Sequence, residues 1–167
     1  LQAVRVLRDL GTPCLIHQHA YSMLNRGAEK GLLENLQDAQ VGGIAFCPLA
    51  QGLLTNKYLQ GIPSDSRASK EHSFLKQGNV TEDVLSKVRA LSEIAAKRKQ
   101  SLAQMALAWV LNNKAVTTAL IGASSVKQVK ENIESLDNLN FSKSELQEIN
   151  KKAKEGNINK WERSSSY

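Results

Sequence analysis

The chain has 167 residues, 22 Lys plus Arg against 16 Asp plus Glu, and a formal net charge of +6 at pH 7. With 41% hydrophobic and 23% charged residues and a mean hydropathy of −0.34, it has the composition of a folded globular protein, not of a disordered segment. Its apolar runs are far shorter than the ~20 residues that span a bilayer, and its charge-broken first ten residues lack the form of a signal peptide.

Leu1 to Leu10 reads as an amphipathic helix already under way, and the start on Leu rather than Met leads us to expect a piece of something longer. After the Gly11-Thr12 break, Pro13 to Gln18 is a short apolar run that predicts a buried strand. Gly31 to Gln40 carries Leu32, Leu33 and Leu36 on one helical face, and Val41 to Cys47 is a second strand stopped by Pro48. The polar stretch from Gln60 to Asn79 predicts a long surface loop, a kind that is often functional. From Glu82 to Lys99, Val84, Val88, Leu91 and Ala95 recur at helical spacing. Ser101 to Gln104 is a capping box that opens a helix with Leu102, Met105, Ala106, Trp109 and Val110 inward. Val116 to Gly122 is a third strand. Ser125 to Leu136 predicts a helix with Val126, Val129, Ile133 and Leu136 inward, and Ser142 to Glu145 caps a last helix carrying Leu146, Ile149 and Ala153.

Strands alternating with helices imply parallel pairing through helical crossovers. Three strands cannot close a barrel, and an open sheet of three leaves two long edges and one bare face, so the expected architecture is half of a fold. Ligands of parallel α/β folds lie at the carboxyl ends of the strands. Here those ends are His17 to Tyr21, Phe46 to Gly52 and Gly122 to Ser125. At the third, the helix opening near Ser125 could hold an anion on its free N–H groups, or Ser125 and Gln128 could form an ordinary capping box. His17 and His19 offer two imidazoles with no third ligand in view, so no metal site is expected. Phe46 fits a core position or a ligand platform. Cys14 and Cys47 form no metal spacing or disulfide framework, which suits a reducing cytoplasm. Only 5% of residues are aromatic, and basic residues without interleaved aromatics give no reason to expect nucleic-acid binding.

Four segments carry a resemblance to a known family. They are Gln18 to Arg26, Pro48 to Tyr58, Ser66-Arg67, and Ile121 to Ser125 with Gln128, Glu131 and Asn132. In that order they resemble the C-terminal half of the aldo-keto reductase family. The branch is the one that holds bacterial glyceraldehyde 3-phosphate reductase-like enzymes and potassium-channel β subunits. The resemblance covers Gly11 to about Trp161 and implies an α/β fold, the C-terminal half of a (β/α)8 barrel, with residues 1–167 as part of one domain whose N-terminal half is absent.

That resemblance further implies NADPH as cofactor. Gln18 would hold the nicotinamide carboxamide, and Phe46, where relatives carry Trp or Tyr, would stack on the ring. Cys47, Pro48, Leu49, Ala50 and Gln51 would line the pyrophosphate, with Cys47 in place of a common Ser. Lys57 and Arg67 would reach cofactor phosphates. Gly122, Ser124 and Gln128 would bind the adenosine 2′-phosphate end, and Glu131 and Asn132 the adenine; Gln128 stands where some relatives carry Arg. The family's catalytic Asp, Tyr, Lys and His belong to the N-terminal half, so no catalytic residue is assigned in this chain. The implied partners are a small carbonyl substrate and the missing half-barrel, in a cytoplasmic protein that could form homo-oligomers, with no membrane or nucleic acid. A nucleotide-sensing regulatory subunit and a self-assembling half-barrel are the alternative readings. The tail from Asn157 to Tyr167, anchored by Trp161, would fold over the barrel top.

Overall fold

Three strands, β1 (Ile16–Ala20), β2 (Gly42–Phe46) and β3 (Thr118–Leu120), form one parallel sheet in the order β1-β2-β3. The computed structural model describes residues 1–156 and Ile158; the rest of the tail, Trp161 included, lies outside the described residues. β1 pairs with β2 from Ile16↔Gly42 to Ala20↔Phe46, and β2 with β3 from Ile44↔Thr118 to Phe46↔Leu120. The glycine pair that opens β2 is required by close approach. A Cβ on Gly43 would lie 2.4 Å from the Ala115 carbonyl oxygen, and one on Gly42 would lie 2.9 Å from Thr117 Oγ1. That closeness lets Gly43 N–H donate to Thr117 Oγ1 at 3.2 Å and Thr117 N–H donate to Gly43 O at 2.8 Å.

Side chains alternate across a strand, so the register sorts the sheet into two faces. His19, Tyr21 and Ala45 are buried on one face. Gln18, Ile44, Phe46, Thr118 and Leu120 occupy the other, which ranges from half-buried to open. Among the described residues six α-helices accompany the sheet: α1 (Gln2–Asp9), α2 (Leu32–Asp38), α3 (Glu82–Lys97), α4 (Leu102–Leu111), α5 (Val126–Ile133) and α6 (Lys143–Lys152). α2 packs on β2, α4 on β3, and α3 against both α4 and α6. The capping boxes at Ser101/Gln104 and Ser142/Glu145 form as the sequence predicts, and Thr81 caps α3 by accepting from Val84 N–H. α4 is buried on every side, with Leu107 and Ala108 as enclosed as the expected stripe. The end of α3 is tied down by Arg98, whose side chain is 3% exposed.

Several expectations of burial are corrected, for one reason. β1 and β3 are both edge strands with nothing among the described residues beyond them. The predicted buried run at β1 therefore leaves Leu15 at 77% and Ile16 at 47% exposure. The α5 stripe is also open: Val126, Val129, Ile133 and Leu136 are exposed, and α5 with the 3-10 turn after it meets the rest of the chain through half-buried Asn132, buried Ser135, and bonds that Glu134 and the Asn138 carbonyl accept from Gln104, Gln100 and Arg98. α1 buries no residue. The opposite correction holds for the stretch from Gln60 to Asn79. It has no regular element beyond the 3-10 turn Gln77–Asn79, yet Ser66, Ala68 and Leu75 are fully or almost fully buried in the core. Ser69 Oγ fastens it further, donating to Ser64 O at 2.6 Å and Ser66 O at 2.8 Å.

Candidate functional site

The carboxyl ends of the three strands assemble the candidate site. Gln18 and Phe46 share the open sheet face, with Gln18 opposite Ile44 and Ala20 opposite Phe46. Tyr21 N–H donates to Phe46 O at 3.3 Å and carries the β1–β2 ladder one step beyond the strands.

Beyond Phe46 the backbone turns sharply. Cys47 (φ 53°), Ala50 (φ 49°) and Gln51 (φ 60°) all lie in the left-handed region, which costs a non-glycine residue on the order of 1 kcal/mol or more. The turn is held by Ala50 N–H to Cys47 O at 2.8 Å, and by Leu53 and Leu54, which are buried just after it. Pro48 and Ala50 are buried, while Cys47, Leu49 and Gln51 are half-buried. Burial pushes the Cys47 thiol pKa up, and the charge of Arg67 pulls against it.

Arg67 stands near two of the strand ends. Besides acting on Cys47, its Nη2 lies 3.8 Å from where a Cβ on Gly122 would be, with no other atom within 4 Å of that point beyond its chain neighbours. The end of β3 thus presents bare backbone to open space beside an exposed guanidinium. The start of α5 follows, where first-turn N–H groups carry the positive end of the helix dipole. Such a set of donors fits an anionic, phosphate-bearing group.

At this helix start the expected capping box takes a different form. Ser125 Oγ accepts from Gln128 N–H at 3.2 Å, but the Gln128 side chain serves Ser124: its Oε1 accepts from Ser124 N–H at 2.8 Å and from Ser124 Oγ at 3.1 Å. The Gln128 amide nitrogen is thereby turned away from Ser124. Glu131 stands one turn on, 3.8 Å from Lys127, and Asn132 is half-buried. Lys57 sits elsewhere, exposed in the 3-10 turn Asn56–Tyr58, and lines a cavity of about 350 Å³ with Gln60, Gly61, Ile62 and Pro63. His17 and His19 stack with ring centroids 5.6 Å apart, and no group of three or more His, Cys, Asp or Glu among the described residues could hold a metal ion.

The aldo/keto reductase family model matches residues 1–154. The chain belongs to the aldo/keto reductase family. It is 49% identical over 166 residues to L-glyceraldehyde 3-phosphate reductase of Escherichia coli strain K12, covering 97% of this chain and 48% of that protein. It is 37% identical over 132 residues to a probable voltage-gated potassium channel subunit beta of Arabidopsis thaliana, covering 77% of this chain and 40% of the relative. The crystal structure of a thermostable aldo-keto reductase in complex with the inhibitor epalrestat matches with a TM-score of 0.63 at 21% identity, over 89% of this chain and 43% of that one. The chain spans about half the length of the curated relatives it matches. The three parallel strands and their helices are accordingly a partial aldo/keto reductase barrel whose sheet is open.

One cluster escaped the sequence reading. Tyr21, Arg26, Glu29 and Trp109 converge beside the end of β1. Tyr21 and Arg26 lie in the first segment of the family resemblance, which implies no role for either. The spacing of Arg26 and Glu29, three apart like neighbours on a helix, was the available signal.

Proposed function

We propose that this aldo/keto reductase chain is the cofactor-binding half of an NADPH-dependent reductase that converts aldehydes or ketones to alcohols in the cytoplasm. Residues 1–167 would be part of a single barrel domain completed by a second half. The observation that carries the reading is Arg67, whose guanidinium lies beside the bare Gly122 backbone at the end of β3 and acts electrostatically on Cys47 at the end of β2. The identity to L-glyceraldehyde 3-phosphate reductase supports the carbonyl-reducing activity. Exposed apolar residues on α1, on α5 and at both sheet edges support a second half-barrel as the element that covers them.

Reduced nicotinamide, when bound, supplies hydride to a carbonyl carbon. The residues of this chain bind and orient. Gln18 donates and accepts through its amide at the carboxamide, and the Phe46 ring shields one side of the nicotinamide. The turn from Cys47 to Gln51 and Arg67 hold the pyrophosphate, and Lys57 reaches a phosphate from the edge. Gly122, Ser124 and Gln128 take the 2′-phosphate end, with Glu131 and Asn132 at the adenine. The proton for the carbonyl oxygen would come from the half that this chain lacks.

The test is a titration of the chain with NADPH, followed by quenching of Trp fluorescence and by calorimetry. Saturable binding is expected, weakened about tenfold or more in Arg67→Met, since a charge-assisted hydrogen bond contributes roughly 1.5–3 kcal/mol. Binding unchanged in Arg67→Met and in Gly122→Asp, which sets a carboxylate against Arg67, would refute the site. The identity to potassium channel β subunits supports a second reading, a nucleotide-sensing regulatory subunit. It predicts cofactor binding with no turnover of any aldehyde by the assembled protein.

A further inference from the structure

The cluster beside β1 is built around one guanidinium. Arg26 Nε donates to Glu29 Oε1 at 2.9 Å and Nη2 donates to Glu29 Oε2 at 2.8 Å, a two-pronged pair. Nη1 donates to Asn150 Oδ1 and to Ala153 O, both at 3.0 Å, which fastens the end of α6. The guanidinium carbon stands 5.1 Å from the centre of the Trp109 ring. Tyr21 joins the same carboxylate, its hydroxyl donating to Glu29 Oε1 at 2.9 Å, and its ring lies 5.2 Å from that of Trp109. Burial and the Glu29 carboxylate push the Tyr21 phenol pKa well above its ordinary range, which suits the hydroxyl as a donor to Glu29.

These bonds converge on a turn. Ser22 and Asn25 exchange two backbone bonds at 3.0 and 3.1 Å, and Gly156 N–H closes the turn from outside by donating to Leu24 O at 3.0 Å. A continuous line of contacts therefore runs from α6 through Arg26, Glu29 and Tyr21 to the Phe46 carbonyl, which accepts from Tyr21 N–H. The line ends where Gln18 and Phe46 stand. Among the described residues, no hydrogen bond of the Arg26, Glu29 or Tyr21 side chains reaches Arg67, Gly122 or Ser124. The groove over the cluster, about 510 Å³, is lined by Tyr21, Arg26, Glu29 and Trp109 together with further polar side chains.

We infer that Arg26, acting through Glu29 and Tyr21, is a positioning residue for the nicotinamide end of the cofactor site and not for its adenosine end. The inference rests on the cofactor reading above. Arg26 fixes the turn that follows β1, Tyr21 transmits that position to the Phe46 backbone, and the pair Gln18 and Phe46 is thereby held in the spacing a flat ring needs.

The experiment compares two ligands on the full chain: NADPH, and adenosine 2′,5′-bisphosphate, which has the adenosine end without nicotinamide. Arg26→Met is expected to raise the NADPH dissociation constant about tenfold, in keeping with the sensitivity of ligand orientation to shifts of about an ångström, and to leave the bisphosphate constant unchanged. Arg26→Lys is expected to fail as a rescue, because an ammonium cannot grip Glu29 with two parallel bonds. Tyr21→Phe keeps the ring on Trp109 and should move NADPH alone in the same direction by a smaller factor, so the inference stays testable if Arg26→Met does not fold. Loss of both ligands in parallel, or of neither, would overturn the positioning role. A wild-type chain that binds neither ligand would overturn the cofactor reading and this inference with it.

Discussion

Arg98 offers a direct test of how the helix layer is held. Its guanidinium donates to Glu145 Oε1 at 2.6 Å, to Gln100 Oε1 at 2.9 Å, and to the carbonyls of Asn138 and Asn140 at 3.1 Å, while stacking 3.8 Å from the centre of the Phe141 ring. Arg98→Met keeps the aliphatic stem and deletes every one of these donors. Asn138 O retains the Gln100 amide at 3.2 Å, but Asn140 O loses the bond that Arg98 makes to it, a cost of about 1–2 kcal/mol. Loss of the cation over Phe141 adds about 1 kcal/mol. Glu145 is 32% exposed and keeps its bond from Ser142 N–H at 2.7 Å, so the ion pair adds only about 0.5 kcal/mol. The total is about 3 kcal/mol, a fall in Tm of about 6–12 °C for a chain of this size. Thermal melts followed by circular dichroism measure it, with Lys97→Met as control. The Lys97–Glu148 pair is 69% and 47% exposed and should contribute under about 0.5 kcal/mol. An Arg98→Met melt within about 2 °C of wild type would refute the idea that this hub carries stability.

Three further outcomes follow from burial. His19 is 5% exposed and neither ring nitrogen has a hydrogen-bond partner among the described residues; burial, and then the neighbouring His17, lower its pKa below the ordinary 6.5. The unfolded chain therefore takes up the proton first, so stability is full above about pH 6.5 and falls as pH drops from there towards the lowered folded value. Urea midpoints from pH 5 to 8 should show that slope, and His19→Leu should flatten it. Gly43→Ala places a methyl 2.4 Å from a backbone oxygen and should cost about 1–3 kcal/mol, whereas Gly78→Ala, with open space around it, should change the urea midpoint little. Ile133→Lys falls on the exposed α5 stripe, at 58% exposure, and should alter stability in thermal melts by less than about 0.5 kcal/mol. A larger drop in Tm would mean that the stripe is covered in solution.

Local signals in the sequence located most elements. Ser101/Gln104 and Ser142/Glu145 start their helices as read because a cap is satisfied within four residues. Val84, Val88, Leu91 and Ala95 are buried as their period demands. Parallel pairing followed from strand–helix alternation, and the family from four segments in order. Where the sequence reading failed, the cause was nonlocal. The period of Val126, Val129, Ile133 and Leu136 says that they share a face, but it does not say whether that face is covered, and here all four stay exposed.

The candidate site divides the same way. Segment identities named its residues, but only the pairing register of β1 and β2 put Gln18 and Phe46 on one face. Only the tertiary structure brought Arg67 to Cys47 and Gly122, because a polar stretch with no period reveals neither its path nor the burial of Ser66 and Leu75 that fastens it. Only the tertiary structure turned Gln128 back onto Ser124 and joined Arg26 to Asn150 and Ala153 across more than 120 residues. Short-range bonds and periodicities are written in neighbouring residues and can be read there. Contacts between distant segments depend on how the helices pack on the sheet, and that packing exists only in the folded chain.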